Sequence, residues 1–232
     1  MHILLTRPLE DCSEIIHKFQ SLGHQVSHLP LLVIEKKDYE LTNSFNYGGI
    51  IFTSANAIKF LDLKEIDKNI TCFCVGQMTE KKARASGFQN TIAAEGNVSN
   101  LKELILQNYD AKDKPILYIS GETISVNLDQ QLLEEGYNLK RVINYQVKHN
   151  QKFNEKFVEE LKKNMPDIVY VYSQNSALSL LNFIKIYHTE DQWMNTNLMC
   201  LGEKTSSILN EIKWKKIFLF NPGEEEFLLY KI

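Results

Sequence analysis

Apolar and polar positions alternate along this chain in a way that names its elements. Short runs of β-forming residues are each followed by a small polar turn, and then by a stretch with apolar positions three and four apart. The clearest case is Ile50-Ile51-Phe52-Thr53-Ser54-Ala55-Asn56-Ala57, followed by Ile58, Phe60 and Leu61. That pattern predicts a buried strand, a tight turn and a helix that starts at once. Ser54 is placed to cap the helix, because its hydroxyl oxygen can accept from free N–H groups of the first turn. A related stretch, Val169-Tyr170-Val171-Tyr172-Ser173-Gln174-Asn175-Ser176-Ala177, follows 119 positions later and aligns Ser54 with Ser173 and Asn56 with Asn175.

Taken in order, strands are predicted at Ile3–Thr6, Ile50–Phe52, Thr71–Val75, Gln89–Ala93, Pro115–Ile119, Leu139–Val147, Asp167–Tyr172, Asn197–Leu201 and Ile217–Phe220. Helices are predicted over Glu10–Leu22, directly after Ser54, from Thr79 to Ser86, and over Val98–Asn108, Leu128–Glu135, Phe153–Lys163, Ala177–Tyr187, Lys204–Ile212 and Glu224–Tyr230. Val26–Ile34 reads as one long extended run interrupted by Pro30, which suits an edge or crossing segment. The strand–helix alternation predicts an α/β fold with parallel sheets covered on both faces.

The two halves repeat weakly. Ile3-Leu4 matches Ile116-Leu117 at an offset of 113, and Cys74-Val75-Gly76 matches Cys200-Leu201-Gly202 at 126. An offset that creeps in this way is what loop insertions produce. The extended runs near 26–34 and 139–147 are the odd elements, and are expected to cross between two lobes. One lobe would be discontinuous, residues 1–34 with 150–232, and the other, 36–145, inserted in it.

Composition narrows the chemistry. The 26 Lys and Arg against 29 Asp and Glu give a net charge of −3, which argues against a general nucleic-acid binder. Cys12, Cys72, Cys74 and Cys200 lack metal-ligand spacing and read as buried free thiols of a reducing compartment. No apolar run approaches the roughly 20 residues needed to span a bilayer, and the first residues do not read as a signal peptide. A cytoplasmic protein that binds neither membrane nor metal is expected. No phosphate loop, dinucleotide fingerprint or nucleophile elbow is present.

What remains is a set of polar turns at predicted strand ends. Thr53, Ser54 and Asn56 form one, Gly76 and Thr79 the next. Ser173, Asn175 and Thr205 belong to their counterparts, and Arg7 ends the first strand. Hydroxyls, amides and free helix N–H groups suit carboxylates; equally, each residue could do no more than cap its helix. Tyr145, in Asn144-Tyr145-Gln146-Val147, is either a general acid in a cleft or a packed aromatic with a wet hydroxyl.

Together these residues resemble the uroporphyrinogen-III synthase family. The resemblance rests on Thr6-Arg7-Pro8, on Phe-Thr-Ser-x-Asn-Ala (Phe52 to Ala57), on Val-Gly-x-x-Thr (Val75 to Thr79), on Val-x-x-Tyr-Gln (Val142 to Gln146) and on Gly-x-x-Thr (Gly202 to Thr205). It spans nearly the whole chain. Tyr172-Ser173-Gln174, Lys204, and the absence of a nearby arginine after Ser120-Gly121-Glu122 depart from the family pattern. The resemblance implies two flavodoxin-like lobes with parallel sheets, joined by a two-stranded β-ladder around an open cleft. It implies a cofactor-independent reaction: dehydrating cyclisation of hydroxymethylbilane to uroporphyrinogen III, with ring D inverted through a spiro intermediate. Tyr145 matches the family tyrosine proposed as acid. The substrate's eight carboxylates would meet the strand-end donors. A monomer is expected, receiving substrate by transient handover from the preceding pathway enzyme. The rival readings are a non-catalytic two-lobe binder of an anionic small molecule, and a degenerate member kept for tetrapyrrole binding.

Overall fold

Elements follow the hydrophobic pattern closely in the computed structural model, which describes residues 1–41, 46–64, 66–221, 223–226 and 229–230. In chain order they are β1 (His2–Leu5), α1 (Leu9–Ser21), β2 (Gln25–His28), β3 (Leu32–Lys36), β4 (Gly49–Phe52), α2 (Ala55–Lys59), β5 (Thr71–Val75), α3 (Gln77–Ala85), β6 (Thr91–Ala94) and α4 (Val98–Asn108). There follow β7 (Ile116–Gly121), α5 (Leu128–Glu134), β8 (Leu139–His149), α6 (Glu155–Lys163), β9 (Ile168–Val171), α7 (Gln174–Ile186), a 3-10 turn (Glu190–Asn195), β10 (Asn197–Cys200), α8 (Glu203–Ile208) and β11 (Lys216–Leu219). The chain divides into two compact units, Met1–Val33 with Lys148–Ile232, and Ile34–Val147.

In the first unit the strand order is β11-β10-β9-β1-β2, with every neighbouring pair parallel. β1, β9 and β10 are buried along their whole length, as expected of a parallel sheet covered on both faces. One face packs Leu4, Val169 and Val171 against Leu180, Ile184 and Trp193. The other packs Ile3, Leu5 and Tyr170 against Cys12 and Phe19 of α1.

In the second unit the order is β3-β8-β7-β4-β5-β6, parallel from β8 to β6. Ile50, Phe52, Leu117 and Ile119 build one core with Ala57, Ile58 and Ala83. Ile51, Phe73 and Tyr118 build the other with Leu101, Ile105 and Leu132. All four cysteines are buried and free; Cys72 and Cys74 share a face, with sulfurs 3.7 Å apart.

The weak repeat becomes a repeat of topology. Numbered along its own chain, the first unit has strand order 2-1-3-4-5. The second has the same order when counted from β7, so β7, β8, β4, β5 and β6 correspond to β1, β2, β9, β10 and β11. The offsets of 113, 119 and 126 link these same pairs. The two units are circular permutants of one arrangement. Each has a point where strand order reverses, between β1 and β9 and between β7 and β4, and in open α/β sheets ligands collect beyond the carboxyl ends of strands at such points.

The long extended run expected over Val26–Ile34 is in fact broken. Pro30 offers no N–H to a ladder, so β2 ends at His28 and joins the first sheet, while β3 runs beside β8. Lys37 N–H donates to Asn144 O and Asn150 N–H to Leu31 O, each at 2.9 Å. One index rises as the other falls, the mark of antiparallel pairing. The helix expected over Glu224–Tyr230 falls partly outside the described residues, at 227 and 228; Glu225 and Glu226 form a turn. α8 ends at Ile208, short of the expected Ile212.

Candidate functional site

Each strand-end turn is built by a small polar residue that the sequence placed there. In the second unit β4 runs through buried Phe52 into Thr53 and Ser54. Ser54 is extended (φ −154°, ψ 143°), and its hydroxyl accepts from Asn56 N–H at 3.2 Å, which starts α2. Thr53 Oγ1 lies 3.3 Å from the hydroxyl of Tyr118, whose phenol burial pushes up, the contact with Thr53 opposing this. Asn56 is half-buried. On the neighbouring strand, β5 ends at Gly76, which takes φ 75° and ψ 154°. That backbone region is almost closed to residues with a Cβ, and it turns the chain directly into α3.

The first unit repeats both turns. Ser173 (φ −158°, ψ 162°) accepts from Ser176 N–H at 3.1 Å and starts α7. Asn175 is exposed beside it. Gly202 takes φ 81° and ψ 163° before α8. Arg7 follows β1, next to β9, with its guanidinium 4.8 Å from the ring centre of Tyr172 and 3.8 Å from the Asp11 carboxylate. Burial, and then Glu225, push the Tyr172 phenol far up, so it stays a neutral platform for the cation. Thr6, fully buried, donates to Tyr170 O at 2.6 Å and ties the ends of β1 and β9 together.

The caps carry a direct stability prediction. Ser54→Ala and Ser173→Ala should each cost about 1 kcal/mol, and the glycine versions only a few tenths. Thermal melts of the four variants check this. Equal losses for alanine and glycine would contradict the capping role.

Two expected donors are buried. Thr79 and Thr205, read as hydroxyls for ligand carboxylates, are 5% and 3% exposed. The Thr205 hydroxyl donates to Leu201 O at 3.0 Å. The Thr205 side chain thus braces its turn from within, and Thr79 is buried at the equivalent place. The first N–H groups of a helix have no acceptor within it; in α8 that of Thr205 meets Gly202 O at 3.2 Å.

Tyr145 sits apart from the turns, on β8 at the end of β7. It is 9% exposed. Its ring lies on the backbone of Gly121, where an added Cβ would stand 2.8 Å from two ring carbons and 3.0 Å from the hydroxyl. Phe60 flanks it, with ring centres 6.5 Å apart. A fault in the ladder sets this position. Ser120 pairs with Ile143, but Gly121 pairs with Tyr145, so Asn144 and Tyr145 share one step as a β-bulge. Strict alternation would send Val142 and Tyr145 to opposite faces; the bulge puts both against Ile50, Phe52 and Ala57. Bulges are rare between parallel strands and re-aim side chains next to active sites.

Sequence reasoning passed over three residues here. Arg141, also on β8, donates through Nε to Ser120 Oγ at 2.8 Å and through Nη2 to Gly121 O at 2.9 Å and Glu122 O at 3.2 Å. It also meets Asp129 at 3.6 Å. An arginine therefore does hold the end of β7, supplied by the next strand rather than by the residues that follow Ser120. Gly121 and Asn144 are the other two. A glycine closing a buried strand and an asparagine between Ile143 and Tyr145 were the available signals.

The strand-end turns present hydroxyl, amide and backbone N–H groups in each unit, and in the second unit Tyr145 packs beside Phe60 at the end of α2. Among the described residues no group of three or more His, Cys, Asp or Glu could hold a metal ion, and no helix is long and apolar enough to cross a membrane. Comparison with solved structures gives uroporphyrinogen-III synthetase from Helicobacter pylori, at 20% identity and a TM-score of 0.65, covering 100% of this chain and 99% of that one. A mutant uroporphyrinogen III synthase from the extremely thermophilic bacterium Thermus thermophilus follows at 13% identity and a TM-score of 0.51, covering 100% and 96%. At these identities the likeness establishes the fold. Comparison with curated protein sequences gives no match. The family model described as uroporphyrinogen-III synthase HemD matches residues 13–219. With nine-tenths of its length matched by that model, and with the same two-unit α/β fold as the synthases, the chain belongs to the uroporphyrinogen-III synthase family.

Proposed function

We infer that this chain closes linear hydroxymethylbilane to uroporphyrinogen III. The observation that carries the reading is the family match over residues 13–219. The terminal hydroxyl leaves as water, the macrocycle closes and ring D is inverted on the way. Closure without inversion needs only the departure of that hydroxyl. The protein's task is then largely to hold one folded conformer and shut out direct closure.

The site residues take these roles in our proposal. Ser54, Asn56 and Gly76 in one unit, and Ser173, Asn175 and Arg7 in the other, present N–H groups, amides and a cation to substrate carboxylates. Thr53 holds its turn to Tyr118. Thr79 and Thr205 set the turns from inside, and the N–H groups they position do the binding. Tyr145 donates the proton that lets water depart. Support for that role comes from its seat beside α2 and from the bulge that aims it. We further propose two lobes, 1–34 with 150–232 and 36–145, acting as a cytoplasmic monomer that takes substrate by transient handover from the preceding enzyme.

Sub-stoichiometric protein separates catalysis from binding. With hydroxymethylbilane in large excess, many equivalents of type III product should form per chain. At most one equivalent of type III per chain would contradict catalysis and leave a binding protein.

A further inference from the structure

Asn144 is completely buried, on a strand whose Val142 and Tyr145 belong to the apolar core around Ala57. Its side chain reaches α2 and donates from Nδ2 to Ala57 O at 2.7 Å. Its own carbonyl accepts from Lys37 N–H at 2.9 Å. Its Oδ1 is buried with no partner. A buried polar oxygen left unpaired costs stability, so packing alone does not account for an asparagine here. Asparagine is here for what its amide does.

α2 has only five residues, too few to be stable alone. Ser54 holds its first turn. At its other end Leu61 N–H pairs with Ile58 O, which leaves Ala57 O without an in-helix donor. Asn144 supplies that donor from another strand. Asn144 is also the first residue of the bulge whose second residue is Tyr145. One side chain therefore fixes both the short helix behind the Thr53-Ser54 turn and the bulge that aims the phenol.

We propose that Asn144 is a positioning residue for ring closure, which locks the carboxylate-holding turn of α2 to the Tyr145 phenol in one geometry. The proposal rests on the functional reading above and on Tyr145 as proton donor. Asn144 acts through Tyr145 and touches no substrate itself.

The test is a double-mutant cycle. Asn144→Leu keeps the volume, and Asn144→Ala is a second variant that relieves any overpacking. Each is made alone and in Tyr145→Phe, and the purified proteins are assayed for type III turnover beside thermal melts. Each single change should lower kcat about tenfold, as a small misplacement of a reacting group does, with KM changed less than about threefold. In Tyr145→Phe the same changes should lower kcat by less than about twofold, because groups that act as a unit are not additive. The melting temperature should drop by the same amount in both backgrounds. An equal tenfold loss in both backgrounds, or unchanged kcat in the single variants, would overturn the proposal. Failure of the functional reading shows separately, as wild-type protein that makes no type III product.

Discussion

Replacing Tyr145 by phenylalanine should lower type III turnover on the order of a hundredfold, the lower range for losing a positioned general acid. KM should hardly move, because carboxylate binding is assigned to the turns. The fold should survive, since the ring stays on Gly121 and against Phe60 and only the oxygen is lost. Steady-state kinetics with freshly generated hydroxymethylbilane give kcat and KM, and a melt gives stability. A variant that matches wild type in kcat would remove the phenol from proton donation. A rise in KM with kcat intact would make it a binding group instead.

The second large effect is expected at a residue with no side chain. Gly121 has an ordinary φ, so alanine there is not forbidden by the backbone. It is forbidden by its neighbour: a Cβ would stand 2.8 Å from two carbons of the Tyr145 ring. The ring cannot simply slide, because Phe60 and the core around Ala57 and Val142 close it in. Gly121→Ala should cost roughly 1–3 kcal/mol of stability, as overpacking does. It should also cut kcat by on the order of tenfold or more by displacing the phenol. In a Tyr145→Leu background the clash is relieved, and the same change should cost much less stability. A stability loss of the same size in both backgrounds would show that Gly121 matters for some other reason.

Much of this molecule was legible in its sequence, for a physical reason. Parallel strands buried on both faces are largely apolar, so Ile50–Phe52, Ile116–Ile119, Ile168–Val171 and Leu198–Cys200 appear as unbroken hydrophobic runs. The turns that follow need small capping residues, and Ser54, Ser173, Gly76 and Gly202 stand where those turns form. The repeat offsets already paired the strands that occupy equivalent places in the two permuted sheets.

What stayed hidden depends on partners. The bulge at Asn144 and Tyr145 is a property of register between two strands, and neither strand shows it alone. Arg141 is one of several polar residues on β8 and carries no mark in sequence, yet its guanidinium crosses to Ser120, Gly121 and Glu122. Thr79 and Thr205 read as ligand donors because spacing places them in the first helical turn. Spacing does not register that both are buried, or that the Thr205 hydroxyl bonds Leu201 O. Val26–Ile34 showed its interruption at Pro30, but which sheet each half joins depends on partner strands that hydropathy does not register.

The most direct test of the account is the isomer composition of the product. Hydroxymethylbilane is generated in place, the purified chain is added, and the products are oxidised and separated as type I and type III porphyrins. The account predicts a type III excess that grows with protein concentration and that Tyr145→Phe strongly reduces. Type I alone, at the spontaneous rate and with folded protein present, would contradict it.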